Sequence, residues 1–562
     1  MHSFILSLLL FCLEHTPEII YTSTLLTSIL FNQKRLILAY LLLEVLFHWL
    51  FIHRKRRTAL TKGDDQVPAV VPSLQLRKQL LHALITSFNT THHLTNALTN
   101  WFYSSNQHHI PIQLDQIHHQ NIAQLLAALF FSKHYNQLNH HHRNQILLHI
   151  NTIQHAINHT FPHGLNPHIL SYQHNLDPIH AQHRPLCFYL LIEAFRLLLH
   201  ITLRLVGFQK HVIKLNQTHF QYWYHPGFHS KRQETPLILV AGIVGLISLP
   251  HYAISLLWKS RRPIFLVGNP TVSLTLFKPE LDLVRVRNPE DVGSKRQKYR
   301  RKIQTLAEQS LCMKEMLHRH GYQPRANWNK GAPPDHGGAF LIGHSLGTCA
   351  TAHFLRHHPQ YVAGTLSIDP ISVMPYIPDL VRGFLYTKPK TLGQLLVRIV
   401  SRELGVATYI QRHFHWFEFV IFPHLEQTTT EEASMVGVSG HHGRHHFVLS
   451  ERDALVCHAQ LAAYLARAKP PCSVSSLANS PHAGFLFFHL PTIINLTLDL
   501  LPPRNPSSQT TLPSSKPHSL LPPPRSHLQP PFSCSSFPTS LHHLPVYYWF
   551  LICLFLALGL PS

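Results

Sequence analysis

Residues 336–365, HGGAFLIGHSLGTCATAHFLRHHPQYVAGT, decide the reading of this chain. Gly343-His344-Ser345-Leu346-Gly347 fits the pattern G-x-S-x-G, and its flanks give the pattern meaning. Ala339 to Ile342 is a short apolar run of the kind that forms a buried strand. Thr348 to Arg356 begins with small residues and continues through Phe354 and Leu355, as a helix packed close to a sheet would. A strand that turns sharply into a helix lifts the serine hydroxyl to a helix N-terminus, where the local dipole favours a developing negative charge. The glycines on either side remove side chains that such a turn could not hold.

A serine hydroxyl becomes a nucleophile only when a histidine takes its proton and an acid holds that histidine's tautomer. Downstream, the strand expected at His446 to Leu449 leads into Ser450-Glu451-Arg452-Asp453, with Asp453 just past the strand end. A helix from His458 to Ala468 follows, then Ser480-Pro481-His482-Ala483-Gly484. His482 lies in a loop of small residues after the acid-bearing strand, which singles it out among fifty histidines. Asp369, at the end of the strand Gly364 to Ile368, is the alternative acid. The expected triad is therefore Ser345, Asp453 and His482. The oxyanion donors are the backbone N–H groups of Leu346 and of Ile243, the latter in the loop after Val240.

Upstream of the serine, Phe220 to Tyr224, Pro236 to Val240 and Pro263 to Val267 read as strands. Residues 290–320 read as a long basic helix. Strands alternating with helices predict an α/β fold, a mostly parallel sheet with helices on both faces, over residues 209–490. Residues 371–445 form an insertion with Phe414, Trp416, Phe417 and Phe419, and a long connection at a strand's carboxyl end is expected to be a helical cap. Residues 58–208 read as a helical, His- and Asn-rich region, with Ile122, Leu125, Leu126, Leu129 and Phe130 at helical spacing. Its last segment, 185–208, is apolar but carries Glu193, Arg196 and Arg204, which fits an interfacial or docking helix better than a membrane span.

Residues 1–57 are expected to hold the N-terminal membrane segments. Phe4 to Leu13 and Pro17 to Phe31 are apolar with interruptions, and Leu36 to Ile52 is nearly continuous, close to the length of about 20 residues that a bilayer requires. The basic run at residues 53–57 then places the following domain on the cytosolic side, with the endoplasmic reticulum as a suitable membrane. Residues 491–545 are rich in Pro and Ser and should not fold, and 546–562 is a terminal apolar run.

The net charge is +22, yet only 13% of residues are charged and the basic ones are scattered apart from a cluster at Lys295 to Lys302. No nucleic-acid motif accompanies them, so a membrane surface is the expected partner and nucleic acid is not. The eight cysteines show no C-x-x-C pair, and runs such as His140-His141-His142 lack Cys or acidic ligands at metal spacing. Neither a metal nor a cofactor is expected.

These features resemble the α/β-hydrolase superfamily and, more narrowly, membrane-associated α/β-hydrolases of fungi and algae. The resemblance is carried by HRPLCFYL at 183–190, YWYHPG at 222–227, GHSLGT at 343–348 and IDP at 368–370. It continues in FLYTKPKT at 384–391, SRELGVATYIQRHFHWFE at 401–418, LSERDALV at 449–456 and HAGFL at 482–486. Ala241, where many such enzymes carry histidine before glycine, and Phe419 depart from it. The resemblance implies a serine hydrolase using a Ser-Asp-His triad and supplies no substrate. Location and the aromatic cap lead to an expected function: hydrolysis of a lipid or other apolar carboxylic ester through an acyl-enzyme. Acyl transfer from the same intermediate, and a silent membrane scaffold, are the alternatives.

Overall fold

The computed structural model describes residues 34–60, 71–105, 111–215, 218–228, 234–276, 284–286, 298–300, 303–324, 338–423, 444–468 and 472–502. The apolar segments expected within 4–31, most of the basic cluster at 295–302 and the tail from 503 lie outside them. So does the end of the cap insertion, residues 424–443.

Helix α1 spans Lys34–Leu60 and continues through the basic run instead of ending there, since Lys and Arg are good helix formers. Helices α2 (Leu74–Ser87), α3 (Thr91–Thr99), α4 (His119–Phe131) and α5 (His140–Ile157) make a small bundle. Ser73, Thr90 and Asn139 cap α2, α3 and α5 by accepting backbone N–H groups, and Ile122, Leu125, Leu126, Leu129 and Phe130 of α4 are buried. Helix α6, Leu186–Val206, ends at Gly207 with φ of 104°.

The sheet strands are β1 (Gln209–Leu215), β2 (Thr218–His225), β3 (Leu237–Val240) and β4 (Ile264–Val267), then β5 (Ala339–His344), β6 (Val362–Ile368), β7 (Arg444–Arg452) and β8 (Ser473–Pro481). Their spatial order is β8-β7-β6-β5-β3-β4-β2-β1. All neighbours pair in parallel except at β2, which runs antiparallel to β1 and β4. Every residue of β3, β4, β5 and β6 is buried, which explains why these strands read as continuous apolar runs without alternation. Helices α7 (Pro250–Ser260), α8 (Leu306–Arg319) and α9 (Gly347–His357) follow β3, β4 and β5. The long helix expected over 290–320 is thus shorter. Thr305 and Glu308 form a reciprocal capping box that fixes its start, and Lys298–Arg300 pairs with Val284–Val286 as a ribbon.

The insertion after β6 contains α10 (Leu392–Ser401) and α11 (Leu404–His413), and its Trp416 indole donates to Leu129 O of α4 at 3.2 Å. After β7 comes α12 (His458–Ala466), and after β8 comes α13 (Leu490–Leu500). The described chain continues past residue 490 because α13 packs on α7: the Tyr252 and Thr497 hydroxyls are 2.7 Å apart, and Arg262 donates to Pro502 O.

Candidate active site

β5 and α9 meet at Ser345, whose φ is 51°. A non-glycine residue there is strained by about 1–3 kcal/mol and must be held by its surroundings. Ser345 N donates to Ile368 O at 3.0 Å, and its carbonyl accepts from the Thr348 N–H at 2.9 Å and the Thr348 hydroxyl at 2.7 Å. The flanking glycines are required by contact. A Cβ on Gly343 would lie 2.7 Å from Thr351 Oγ1, and one on Gly347 would lie 2.2 Å from Val240 O. Helix α9 therefore sits against β3 at a distance only glycine permits.

Asp453 follows β7, and its Oδ1 accepts the N–H groups of Leu455 (2.7 Å) and Val456 (3.2 Å), closing a local turn. Its Oδ2 lies 2.7 Å from Nδ1 of His482, which follows β8, and Nε2 of the same ring is 2.8 Å from Ser345 Oγ. Three residues at the ends of three strands thus share one hydrogen-bonded line, with the imidazole in the middle.

Asp369 does not face the imidazole as an orienting acid would. Its Oδ1 accepts Ser450 N–H at 3.2 Å and its Oδ2 accepts Ala483 N–H at 2.7 Å. It ties the end of β6 to the end of β7 and to the residue after His482. Sequence reasoning did not find this role, since nothing local links residues 369 and 483; only the sheet order brings those loops together. One oxygen or nitrogen of each of Asp369, Asp453 and His482 lies within 4.8 Å of the others, so the imidazole is near two carboxylates.

The electrostatics follow. Burial lowers the His482 pKa, but the charge and hydrogen bond of Asp453, with the charge of Asp369, outweigh it and bring the value up to about 9. His344 is buried with no hydrogen-bond partner for either ring nitrogen, and burial followed by the charge of His482 lowers it to about 3. It stays neutral and packs edge-on to Phe485, with ring centroids 5.1 Å apart. Burial raises the pKa of Asp369, with Asp453 adding to the rise, while His482 and the two N–H donors oppose it.

The two residues expected to supply oxyanion donors flank the serine. Leu346 is the next residue, and the loop after β3 touches the turn so closely that a Cβ on Gly242 would be 3.0 Å from Ser345 Cβ. Neither the Leu346 nor the Ile243 N–H donates to a backbone carbonyl among the described residues. The loop holds its shape without a histidine at Ala241: Ala241 N–H bonds Val267 O (2.9 Å), and Val244, at φ 74°, bonds Val272 O (2.9 Å).

No protein-family model matches the chain, and no curated protein does. Solved structures similar to it include a membrane phospholipase A described as a bacterial virulence factor, with 12% identity, TM-score 0.34, and coverage of 56% of this chain and 94% of that one. Carboxylesterase CesB of Bacillus subtilis has 14% identity, TM-score 0.32 and coverage of 55% and 98%. The naproxen esterase of the same organism has 14% identity, TM-score 0.33 and coverage of 54% and 95%. Similarity this low carries nothing about activity. The strand order, the parallel register with its one reversed strand, and the strand–serine–helix turn together make this an α/β-hydrolase-like fold.

Proposed function

We propose that this protein is a membrane-associated serine hydrolase that cleaves a carboxylic ester of a lipid or other apolar acyl compound. The observation that carries the reading is the imidazole of His482 set between Ser345 Oγ at 2.8 Å and Asp453 at 2.7 Å. Ser345 Oγ attacks the ester carbonyl while His482 Nε2 takes its proton, and Asp453 stabilises the imidazolium. The Leu346 and Ile243 N–H groups receive the oxyanion. The intermediate collapses as His482 protonates the departing alcohol, leaving an acyl-serine. Water, deprotonated by the same imidazole, then releases the acid. Asp453 is favoured over Asp369 as the orienting acid because the oxygens of Asp369 are engaged by backbone N–H donors.

Membrane association is supported by two helices. α1 exposes Leu38, Leu42, Leu46, Trp49 and Ile52, and α6 exposes Leu190, Leu197, Leu198, Ile201 and Leu205, with Leu205 82% exposed. α6 is long and apolar enough to cross a membrane, but with Glu193 and Arg196 paired on it, an interfacial position fits better. The YTKPKT and RHFHWFE stretches support kinship with the membrane-associated hydrolases of fungi and algae, and the basic residues at 54–57 support a position of the domain on the cytosolic face. Reaction of the purified protein with a fluorophosphonate tests the chemistry. Wild type should label and Ser345→Ala should not, and equal labelling of the two would remove Ser345 from the mechanism.

A further inference from the structure

Between α1, α6, the loop after β4 and the start of α11 lies a cavity of about 210 Å³. Leu43, Leu46 and Leu50 form its α1 wall, and Leu186, Leu276 and Leu404 face them. Its polar lining is largely engaged. The Tyr189 hydroxyl donates to Glu403 at 3.2 Å, and the other oxygen of Glu403 accepts the N–H groups of Gly405 (2.9 Å) and Val406 (3.1 Å). Sites for polar ligands place several convergent donors and acceptors in the wall; these walls offer mainly leucine and phenylalanine, with Arg54 and Thr275 as the remaining polar side chains.

The mouth has a distinct character. Leu43, Leu46 and Leu50 are 54%, 53% and 41% exposed, so the residues that line the cavity also belong to the exposed apolar face of α1. On α6 the exposed residues at 190, 197, 198, 201 and 205 fall on one helical stripe. Arg196, Arg204 and Lys210 lie close together beside that stripe: burial, then the two guanidiniums, hold the Lys210 ammonium below its ordinary value. Glu193 pairs with Arg196, so Arg204 and Lys210 leave the edge of this apolar surface net positive, which is complementary to an anionic bilayer. Three of the four walls also pack on segments that adjoin the loop after β3, the loop that carries Ile243. α6 packs on residues 245–248 and α11 on residues 270–272, and the loop carrying Leu276 also holds Val244 through Val272 O.

We propose that this cavity holds a hydrocarbon chain of a lipid, entering sideways from a bilayer that lies against α1 and α6. Its meaning as a substrate site rests on the serine-hydrolase reading; the binding itself does not. Transfer of methylene groups from water into a space lined mainly by leucine and phenylalanine is favourable, and transfer from the bilayer costs little because the two environments are alike.

The test uses the full-length Ser345→Ala protein, which cannot turn lipid over, with a palmitate analogue carrying a diazirine, in phosphatidylcholine vesicles with and without phosphatidylserine. Irradiation should place the crosslink on the peptides containing Leu43 to Leu50, Leu276 or Leu404, with higher yield when phosphatidylserine is present. Leu46→Trp at the mouth and Leu276→Trp inside should each lower the yield about tenfold by filling the space. Leu46→Trp changes an exposed position and keeps the test valid if the inner variant fails to fold. Leu170→Trp, an exposed leucine on another face, should crosslink like the parent. A crosslink spread over exposed apolar residues outside α1 and α6, such as Leu148 and Leu170, or a yield unchanged by Leu46→Trp, would overturn the proposal. Fluorophosphonate labelling of wild type separates the two readings. Labelling without a localised crosslink leaves the hydrolase and removes the cavity, and a localised crosslink without labelling does the reverse.

Discussion

At the scale of single residues, His482 sets the pH behaviour. Its pKa is raised to about 9, so at neutral pH the imidazole is mostly protonated and cannot yet act as a base. The value of kcat/KM for a neutral ester should therefore rise from pH 7 to a plateau above about pH 9. In Asp453→Asn the plateau should fall by roughly 10⁴, and its midpoint should move to lower pH, because the burial that lowers the pKa remains while the main opposing charge is gone. An unchanged midpoint would mean that Asp453 does not act on this ring. Stability runs the other way. A raised histidine pKa contributes stability that is complete below its unfolded value of 6.5 and is lost as pH rises through about 9. Asp369→Asn should affect turnover less than Asp453→Asn does. It turns one acceptor into an NH₂ facing the N–H of Ala483 or Ser450, and a loss of about 10- to 100-fold through a displaced histidine loop is expected from measured kcat. Ser345, Asp453 and His482, which the structure joins by hydrogen bonds, could be singled out in the sequence because each sits beside a strand end. The roles of Asp369 and of buried His344 could not, since each depends on which loops the sheet makes adjacent.

At the scale of elements, the apolar central strands and the glycine-flanked turn could be read directly, whereas β1 and β8 could not. β8 is SVSSLANSP, an edge strand with mostly polar exposed residues, and neither alternation nor an apolar run marks it. The attachment of α1 was equally hidden. Glu44 is a polar interruption in an apolar run, yet it is fully buried: its Oε1 lies 3.0 Å from His183 Nε2, and its Oε2 accepts the first N–H of α6, at Leu186, at 2.9 Å. Pro185 precedes that helix and offers no side-chain cap, so a carboxylate from another helix does the capping. Lys55 fixes the other end of α1 by donating to Ala181 O at 2.8 Å. Glu44→Ala should lower the unfolding free energy by about 2–4 kcal/mol, because it strips a buried histidine and a helix N-terminus of their partner at once. Glu44→Gln, which keeps one acceptor, should lose less. Thermal unfolding of the three proteins in the same detergent checks the ranking, and equal melting temperatures would show that the contact contributes nothing.

At the scale of the whole molecule, the described chain runs to Pro502, with α13 closing against α7. Truncation after Arg504 should therefore leave the melting temperature and fluorophosphonate labelling as they are in the full chain. A truncated protein that unfolds earlier would mean that residues beyond 504 pack on the domain that ends with α13. The overall architecture was readable because alternating strands and helices leave few topologies open. The way the helical region at 71–206 joins the insertion was not, because it rests on single long-range contacts: Trp101 Nε1 donates to Tyr376 O at 3.1 Å, and Gln411 Nε2 to Pro178 O at 2.9 Å.

Glu44 and His183 are 139 residues apart in the chain. A ribosome adding about 5–20 residues per second needs on the order of ten seconds to make the second after the first. Once α1 is complete, its carboxylate has only the Tyr40 hydroxyl of its own helix, at 3.1 Å, to bond. An ionised acid at the centre of a bilayer costs about 3 kcal/mol on insertion scales, so the nascent helix is biased towards the lipid–water boundary. When His183 and Leu186 emerge, the carboxylate passes from water to them without first crossing hydrocarbon. The order of synthesis thereby holds α1 available to the domain that follows it.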